Sequence, residues 1–135
     1  MAFVMTDQCR LYLITPPLIP DLGRFVEILK AALSGGDVAC LQLRLKSAEG
    51  VAAGDDEIMR AAEAIAPLLR DAAVHFLIND CPDLARRAGA DGVHIGQEDA
   101  SIAAAREILG VKATVGVTCH NSYDLAIAAG EAGAD

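Results

Sequence analysis

The sequence contains no tryptophan, and aromatic residues make up only 4% of its 135 residues. Basic residues are also scarce, because 11 Lys and Arg stand against 19 Asp and Glu and give a formal net charge of −8. Nucleic-acid-binding surfaces are usually basic and often carry aromatic rings that stack on bases. The composition therefore argues against a nucleic-acid-binding protein.

Long apolar runs are missing as well. The longest stretch without Asp, Glu, Lys or Arg is Ala113–Tyr123, with 11 residues, whereas a membrane-spanning helix needs about 18. The amino terminus, Met1–Asp7, lacks the basic segment and apolar core of a secretory signal. The four cysteines form no Cys-x-x-Cys pair, which argues against a zinc ribbon or a thioredoxin-like motif. These absences predict a cytoplasmic protein with reduced thiols and no membrane association.

Hydrophobic residues make up 53% of the chain, which is enough to build the core of one domain at this length. Short apolar runs alternate with longer Ala-rich stretches of helical spacing, and this alternation predicts a parallel sheet with right-handed crossovers. Strands are predicted over residues 11–14, 38–46, 74–78, 92–95 and 114–117. Helices are predicted to begin near Asp21, Asp55, Pro82, Ser101 and Asn121, with a kink or break at Pro67.

A short repeat supports this arrangement. Ala88–Asp91 recurs as Ala132–Asp135, and Ser34–Asp37 is a looser copy. A strand is predicted directly after two of the copies, so we expect Ala132–Asp135 to lead into a sixth strand. Five βα units are present where a closed (βα)8 TIM barrel needs eight. We therefore predict that residues 1–135 are a single domain, the N-terminal part of a longer barrel. The alternative is a complete five-stranded doubly wound domain, which would also bind ligands at the carboxyl ends of its strands.

The strongest local pattern is the segment 42–46 in the second predicted strand. Residues two apart share a strand face, so Gln42, Arg44 and Lys46 point one way and the leucines between them point the other. Two unpaired cations inside a covered parallel sheet would be costly to bury. A pocket for an anion explains them, and Arg with Lys suits phosphate. The alternative is a strand that emerges into solvent, with both cations simply exposed.

Acidic residues follow the next two predicted strands. Asn79 and Asp80 end the third strand, and Asp99 lies shortly after the fourth. Neighbouring strands lie about 4.8 Å apart, so side chains beyond their carboxyl ends can converge. Two carboxylates together with substrate phosphate match the way proteins usually hold Mg²⁺. Helix capping is the alternative for each carboxylate taken alone. Taken with the cations of segment 42–46, a magnesium–diphosphate site is the better explanation.

The segment Gly116–Asn121, at the end of the fifth predicted strand, is a weaker candidate. Its small residues and the Thr118 hydroxyl precede a predicted helix and would suit a phosphate, although Thr118 or Asn121 would serve equally as a helix cap. His94 is predicted to be a hydrogen-bonded core residue, and His75 to be peripheral. No chelating spacing supports a metal site built from Cys and His side chains.

These motifs together resemble the thiamine phosphate synthase family. The segment 42–46, the pair Asn79-Asp80 and the run His94–Asp99 occur in that family's order, and the resemblance extends from Leu11 to Asp135. It implies a TIM barrel of which this chain covers about five units. It also implies a transferase of thiamine biosynthesis. Such an enzyme joins 4-amino-2-methyl-5-hydroxymethylpyrimidine diphosphate to 4-methyl-5-(2-phosphoethyl)thiazole, giving thiamine phosphate and pyrophosphate.

The resemblance also implies roles for individual residues. The pyrimidine diphosphate would be bound by Gln42, Arg44, Lys46 and Asn79. Asp80 and Asp99 would coordinate Mg²⁺, and Thr118 would stand where the family usually has a serine that contacts the diphosphate. In the family's dissociative reaction, diphosphate leaves first and the thiazole nitrogen captures the resulting cation. Such a step requires neutralisation of the leaving group, so no general acid or base is assigned.

Two departures from the family affect these expectations. Thr118 adds a methyl group beside the expected diphosphate. The chain also stops before the family's later loops, so we expect the 135 residues alone to be inactive or impaired. Two alternatives remain open: a thiazole tautomerase-like enzyme, which shares the barrel, and a non-catalytic paralogue of the thiamine pathway. The expected ligands are small phosphorylated molecules, and a homo-oligomer is compatible with the sequence.

Overall fold

A computed structural model describes residues 8–135, so the expectation about a signal sequence at Met1–Asp7 lies outside the described residues. Strands and helices alternate along the chain. The strands are β1 (Leu11–Ile14), β2 (Val38–Leu43), β3 (His75–Asn79), β4 (Gly92–Ile95) and β5 (Thr114–Val117). The helices are α1 (Leu22–Gly35), α2 (Asp55–Asp71), α3 (Pro82–Ala88), α4 (Ile102–Leu109) and α5 (Tyr123–Glu131).

The five strands form one parallel sheet in the order β1-β2-β3-β4-β5. Each strand pairs with its neighbours in sequence, which is the connectivity of a (βα)8 barrel. A doubly wound sheet would reverse direction at a switch point, so the doubly wound alternative is wrong and the predicted incomplete barrel is confirmed. Among the residues that the structure describes, no helix has the length and apolar character to cross a bilayer.

The hydrophobic core lies between the sheet and the helices. Leu41, Leu43 and Leu45 are 2%, 1% and 4% exposed and pack into this layer, as their alternation in the sequence predicts. Ile65 of α2 and Ala105 of α4 are fully buried against the same side of the sheet. The helices therefore cover the outer face of the sheet, and the opposite, inner face is left to polar side chains such as Gln42.

The second strand is shorter than the sequence predicts, because it ends at Leu43 rather than at Lys46. The backbone N–H of Arg44 donates to the Thr15 hydroxyl at 2.9 Å. Lys46 then pairs with Ala52 in an isolated antiparallel bridge. The two cations therefore lie on the loop that leaves the carboxyl end of β2, and not on the strand itself.

The sequence predicts a kink or a break at Pro67, and of these the break does not occur, since α2 runs without interruption from Asp55 to Asp71. Pro67 lacks the N–H that would bond to the carbonyl of Glu63, and both residues lie on the exposed side of the helix. Water can satisfy a carbonyl at such a position. The helix begins at Asp55, as predicted, and its N-cap is Gly54, which makes no side-chain cap bond.

The repeated segments have a common structural role. Asp91 exchanges two hydrogen bonds with Phe76 of β3, through its backbone N–H at 2.8 Å and its carboxylate at 2.7 Å. Asp135 makes the same pair of bonds with Val115 of β5, at 3.0 Å and 2.9 Å. The aspartates of these two copies thus anchor the chain beside the strand that precedes each helix. Asp37 differs from these two aspartates, because its backbone carbonyl, and not its carboxylate, accepts from the N–H of Leu11, at 3.0 Å.

Candidate active site

The side chain of Gln42 is the most deeply buried polar group at the carboxyl ends of the strands. The residue is 2% exposed, and its amide nitrogen donates to the hydroxyl of Tyr12 at 3.0 Å. Its amide oxygen has no hydrogen-bond partner among the described residues. A buried acceptor without a partner is costly, so this oxygen is suited to receive a donor from a ligand.

Lys46 and Asp80 form an ion pair, with 2.6 Å between the ammonium nitrogen and a carboxylate oxygen. Each side chain is 26% exposed. Asp80 has a left-handed backbone with φ +66°, which costs a non-glycine residue about 1 kcal/mol and is typical of functional sites. Its N–H donates to the carbonyl of His94 at 2.7 Å, which holds this turn in place. Asp80 does not cap α3, whose N-cap is Cys81 without a side-chain bond.

Arg44 lies beside this pair and is half-buried. Its guanidinium donates to the backbone carbonyl of Lys46 at 3.4 Å. Within residues 8–135, no carboxylate forms an ion pair with Arg44. Its positive charge is therefore available to an anion, whereas the charge of Lys46 is already matched by Asp80. Both cations are partly covered on the loop that leaves β2.

Asn79 and Asp99 lie at the carboxyl ends of β3 and β4. Asn79 is half-buried and pairs in register with His94. The carboxylate of Asp99 accepts from the N–H of Gly96 at 2.7 Å, so it faces its own loop. It does not cap α4, because the hydroxyl of Ser101 does so by accepting from Ala104 at 3.1 Å. The capping alternative is therefore wrong for both predicted carboxylates.

The structure does not bring all the predicted ligands together. Asp80 contacts Lys46 and Asp99 contacts Gly96, although the two carboxylates follow neighbouring strands. In the part of the chain that the structure describes, no group of three or more His, Cys, Asp or Glu side chains is placed to hold a metal ion. Any cation bound here would need further ligands from substrate or water.

Thr118 follows β5, and its hydroxyl contacts the Nε2 atom of His94 at 2.8 Å. The other ring nitrogen of His94 contacts the hydroxyl of Tyr12 at 3.1 Å, and the two rings meet edge to face. Burial lowers the pKa of His94, although the nearby charge of Asp80 acts in the opposite direction. His94 is thus hydrogen-bonded, as the sequence predicts. Ser122 caps α5, so capping by Thr118 or Asn121 is wrong.

A missing side chain makes room for His94. A Cβ atom at Gly116, its partner in β5, would lie 2.5 Å from the Nδ1 atom of His94. This distance is far below van der Waals contact, so the ring can lie against β5 only because residue 116 is glycine. The outlying His75 is exposed and contacts the Thr114 hydroxyl at 3.3 Å, in agreement with its predicted peripheral position.

Sequence reasoning missed three residues of this site. Tyr12 contacts both Gln42 and His94, and Thr15 orients the backbone of Arg44. The side-chain amide of Gln97 donates to the backbone carbonyl of Thr118 at 2.7 Å. The signal available for Tyr12 was its phenolic hydroxyl within an otherwise apolar strand, since such a group can both donate and accept a hydrogen bond.

Comparison with known proteins places the chain among its relatives. The family described as thiamine monophosphate synthase matches residues 11–135. A thiamine-phosphate synthase of Rhodospirillum centenum is 56% identical over 131 residues, covering 97% of this chain and 60% of that protein. One from Hyphomonas neptunium is 47% identical over 128 residues, covering 95% of this chain and 58% of that protein.

A solved structure agrees with these sequence matches. The thiamine phosphate pyrophosphorylase of Pyrococcus furiosus superposes with a TM-score of 0.76 at 31% identity, covering 93% of this chain and 57% of that chain. The chain thus spans about 60% of the length of the curated relatives named above. Because the family match covers nearly all of its residues, the chain belongs to the thiamine monophosphate synthase family.

Proposed function

We propose that the protein carrying this chain is a thiamine phosphate synthase. It would transfer the (4-amino-2-methylpyrimidin-5-yl)methyl group of 4-amino-2-methyl-5-hydroxymethylpyrimidine diphosphate to the nitrogen of 4-methyl-5-(2-phosphoethyl)thiazole, with pyrophosphate as leaving group. Its family and the printed names of its relatives support this activity. The residues at the carboxyl ends of β2 to β5 support it independently.

The observation that carries the proposal is the cationic cluster after β2. Arg44 has no ion-pair partner among the described residues, and it lies beside the ion pair of Lys46 with Asp80. Departure of diphosphate develops negative charge on the leaving oxygens, and fixed positive charge at that point lowers the barrier. Arg44 and Lys46 supply this charge, and neither needs to transfer a proton.

The remaining predicted residues have complementary roles. The free amide oxygen of Gln42 suits the exocyclic amino group of the pyrimidine, because an amine is a donor and the oxygen is a buried acceptor. Asn79 and Thr118 offer an amide and a hydroxyl that would bind the diphosphate from the ends of β3 and β5. These neutral groups orient the substrate, while Arg44 and Lys46 balance its charge.

The donor chemistry of Asp80 and Asp99 fits Mg²⁺. Both offer hard carboxylate oxygens, and they follow the neighbouring strands β3 and β4. Mg²⁺ is commonly held by one or two carboxylates, with substrate phosphates and water completing its shell. We propose that Asp80 and Asp99 hold this ion, which would supply charge neutralisation to the diphosphate when bound.

The test is a coupling assay on the protein expressed from its complete coding sequence. Both substrates and Mg²⁺ are supplied, and thiamine phosphate and pyrophosphate are measured by mass spectrometry. We expect both products in equal amounts. Arg44→Ala should lower kcat/KM by about 100-fold or more, since it removes a charge-assisted contact to the leaving group. Arg24→Ala, an exposed arginine on α1, is the matched control and should leave the rate unchanged.

Two results would contradict the proposal. One is the absence of thiamine phosphate from an otherwise folded protein. The other is isomerisation of a non-aromatic thiazole phosphate, supplied in a separate assay, by a protein that does not consume the pyrimidine diphosphate. This result would indicate the tautomerase-like alternative.

A further inference from the structure

Four polar side chains form one continuous hydrogen-bonded chain across the inner face of the half-barrel. Gln42 contacts Tyr12 at 3.0 Å, Tyr12 contacts His94 at 3.1 Å, and His94 contacts Thr118 at 2.8 Å. These residues belong to β2, β1 and β4 and to the end of β5, so the chain of contacts connects four strands. The substrate-binding roles proposed above do not account for Tyr12 or His94.

One assignment of protons gives each of these contacts a donor and an acceptor. An amide nitrogen can only donate, so the Tyr12 oxygen accepts from Gln42. In this assignment the Tyr12 hydroxyl gives its own proton to Nδ1 of His94. A neutral imidazole that accepts at Nδ1 carries its proton on Nε2. Nε2 therefore donates to the hydroxyl oxygen of Thr118.

A hydroxyl that accepts a hydrogen bond keeps its own proton free to donate elsewhere. We propose that Tyr12 and His94 are positioning residues, which orient the Thr118 hydroxyl so that its proton points to the oxygens of the leaving diphosphate. This inference rests on the proposed function. Hydrogen bonds in series polarise one another, so each donor in the chain strengthens the next and makes Thr118 a better donor to an anion.

The packing of β4 on β5 supports the inference independently of hydrogen-bond direction. A Cβ atom at residue 116 would lie only 2.5 Å from the Nδ1 atom of His94. Because residue 116 is glycine, no Cβ atom occupies the space beside the Nδ1 atom. The side chain of Gln97 adds a second constraint, because it donates to the backbone carbonyl of Thr118 at 2.7 Å. Both contacts hold residue 118 in a fixed relation to the site.

The first arm of the test measures the His94 tautomer directly. Nitrogen-15 NMR of the imidazole rings in the full-length protein shows which nitrogen carries the proton, and the signal lost in His94→Gln assigns the residue. We expect Nε2 to be protonated and Nδ1 to be bare. Protonation on Nδ1, or on both nitrogens at neutral pH, would overturn the proposal, because Nε2 would then accept from Thr118 or the ring would be charged.

The second arm perturbs the chain of contacts at Tyr12. Tyr12→Phe keeps the ring but removes the donor to Nδ1, so a share of the Nδ1-protonated tautomer should appear. Tyr123→Phe is the matched control, because Tyr123 is 78% exposed on α5 and should leave the tautomer unchanged. A His94 signal unaffected by Tyr12→Phe would show that Tyr12 does not set the tautomer.

The third arm is a double-mutant cycle on pyrophosphate binding in the presence of Mg²⁺, measured by calorimetry. We expect Thr118→Val to weaken binding about 10-fold and Tyr12→Phe about threefold, as for lost hydrogen bonds to a charged group. The double variant should bind no more weakly than Thr118→Val, because Tyr12 acts through Thr118. Thr118→Ser should bind like the wild type. Independent effects that multiply to about 30-fold would overturn the proposal.

The outcomes separate this inference from the proposed function. A protein that forms no thiamine phosphate contradicts the proposed coupling reaction. The tautomer and the pyrophosphate cycle still decide whether Tyr12 and His94 orient Thr118, since neither measurement needs turnover.

Discussion

The ammonium group of Lys46 lies 2.6 Å from a carboxylate oxygen of Asp80 and so joins the loop after β2 to the residue that follows β3. Both side chains are 26% exposed, so water screens part of the attraction and the pair contributes only about 1 kcal/mol to stability. A modest stabilising role and a strained backbone at Asp80 are better explained by function than by folding. The predictions below separate these two roles.

Asp80→Asn removes the charge and preserves the left-handed backbone, which Asn adopts as readily as Asp. We expect the free energy of unfolding to change by about 1 kcal/mol or less. In contrast, kcat for thiamine phosphate formation should fall by about 100-fold or more, since charge balance at the leaving group is lost. Chemical denaturation and the coupling assay measure the two effects.

Glu27→Gln is the control for this prediction, because it breaks the exposed ion pair with Lys30 on α1, far along the chain from the site. Glu27→Gln should alter neither the free energy of unfolding nor kcat. A fully active Asp80→Asn variant would show that the pair is structural.

Gly116→Ala should disturb the site through His94. The new Cβ would lie 2.5 Å from the ring, which must move and lose its contact with Thr118. We expect a destabilisation of about 1–3 kcal/mol, as for other overpacked positions, together with a clear loss of kcat. Gly130→Ala is the matched control, since its Cβ meets nothing within 4 Å.

Gly130 lies within α5, so alanine there should stabilise the protein by about 0.5–1 kcal/mol. Thermal unfolding of the two variants gives the comparison. Equal stability of Gly116→Ala and the wild type would mean that the ring has free space, contrary to the packing described here.

The neutral state of His94 gives a pH dependence of known sign. Burial lowers its pKa in the folded protein below the value of about 6.5 expected in the unfolded chain. Between these two pKa values the unfolded chain binds more protons, so the free energy of unfolding falls as the pH drops below about 6.5. Above that pH the contribution is constant.

His94→Gln removes this contribution, so its stability relative to the wild type should improve as the pH is lowered from 7.5 to 5.5. Urea unfolding at several pH values measures the difference. His75→Gln, at an exposed histidine, should follow the wild type. A constant difference between His94→Gln and the wild type across this range would contradict the buried, neutral ring.

The sequence predicts much of this fold because several strands and helices end at residues whose own conformational preferences terminate them. The fifth strand, 114–117, matches its prediction. Helix α3 ends where Gly89 adopts a left-handed φ of +63°. The predicted end of β2 was wrong because a residue distant in sequence determines it. The hydroxyl of Thr15 accepts a hydrogen bond from the backbone N–H of Arg44.

In the site too, features set by neighbouring residues were predicted and features set by distant residues were not. Alternation along the chain places Gln42 opposite its flanking leucines, which the structure confirms. The partner of Lys46 lies 34 residues away at Asp80, and local spacing holds no information on such a pairing. The contact of Tyr12 with His94 of β4 likewise joins residues that are distant in sequence. Contacts between strands therefore determine which of several polar candidates meet.

Cys40 offers a test of burial on the inner face. Loss of hydration raises the pKa of its thiol to about 11, with a smaller effect from the charge of Asp91. Since the thiolate is the reactive form, alkylation of Cys40 at pH 8 should be slow and should accelerate about tenfold per pH unit below the pKa.

Peptide mass spectrometry after timed iodoacetamide treatment measures these rates. Cys9 is exposed and serves as the internal comparison, which should react first. Denatured protein provides the rate for an uncovered Cys40. Equal rates at Cys40 and Cys9 in the folded protein would contradict the burial of the inner face.

The central claim is that the carboxyl ends of β2 to β5 bind a diphosphate. A crystal structure of the complete protein with pyrophosphate and Mg²⁺ tests it most directly. We predict that the diphosphate contacts Arg44 and the Thr118 hydroxyl, with the cation on Asp80. Pyrophosphate bound at the opposite end of the sheet, beside Arg70 and His75, would contradict the account.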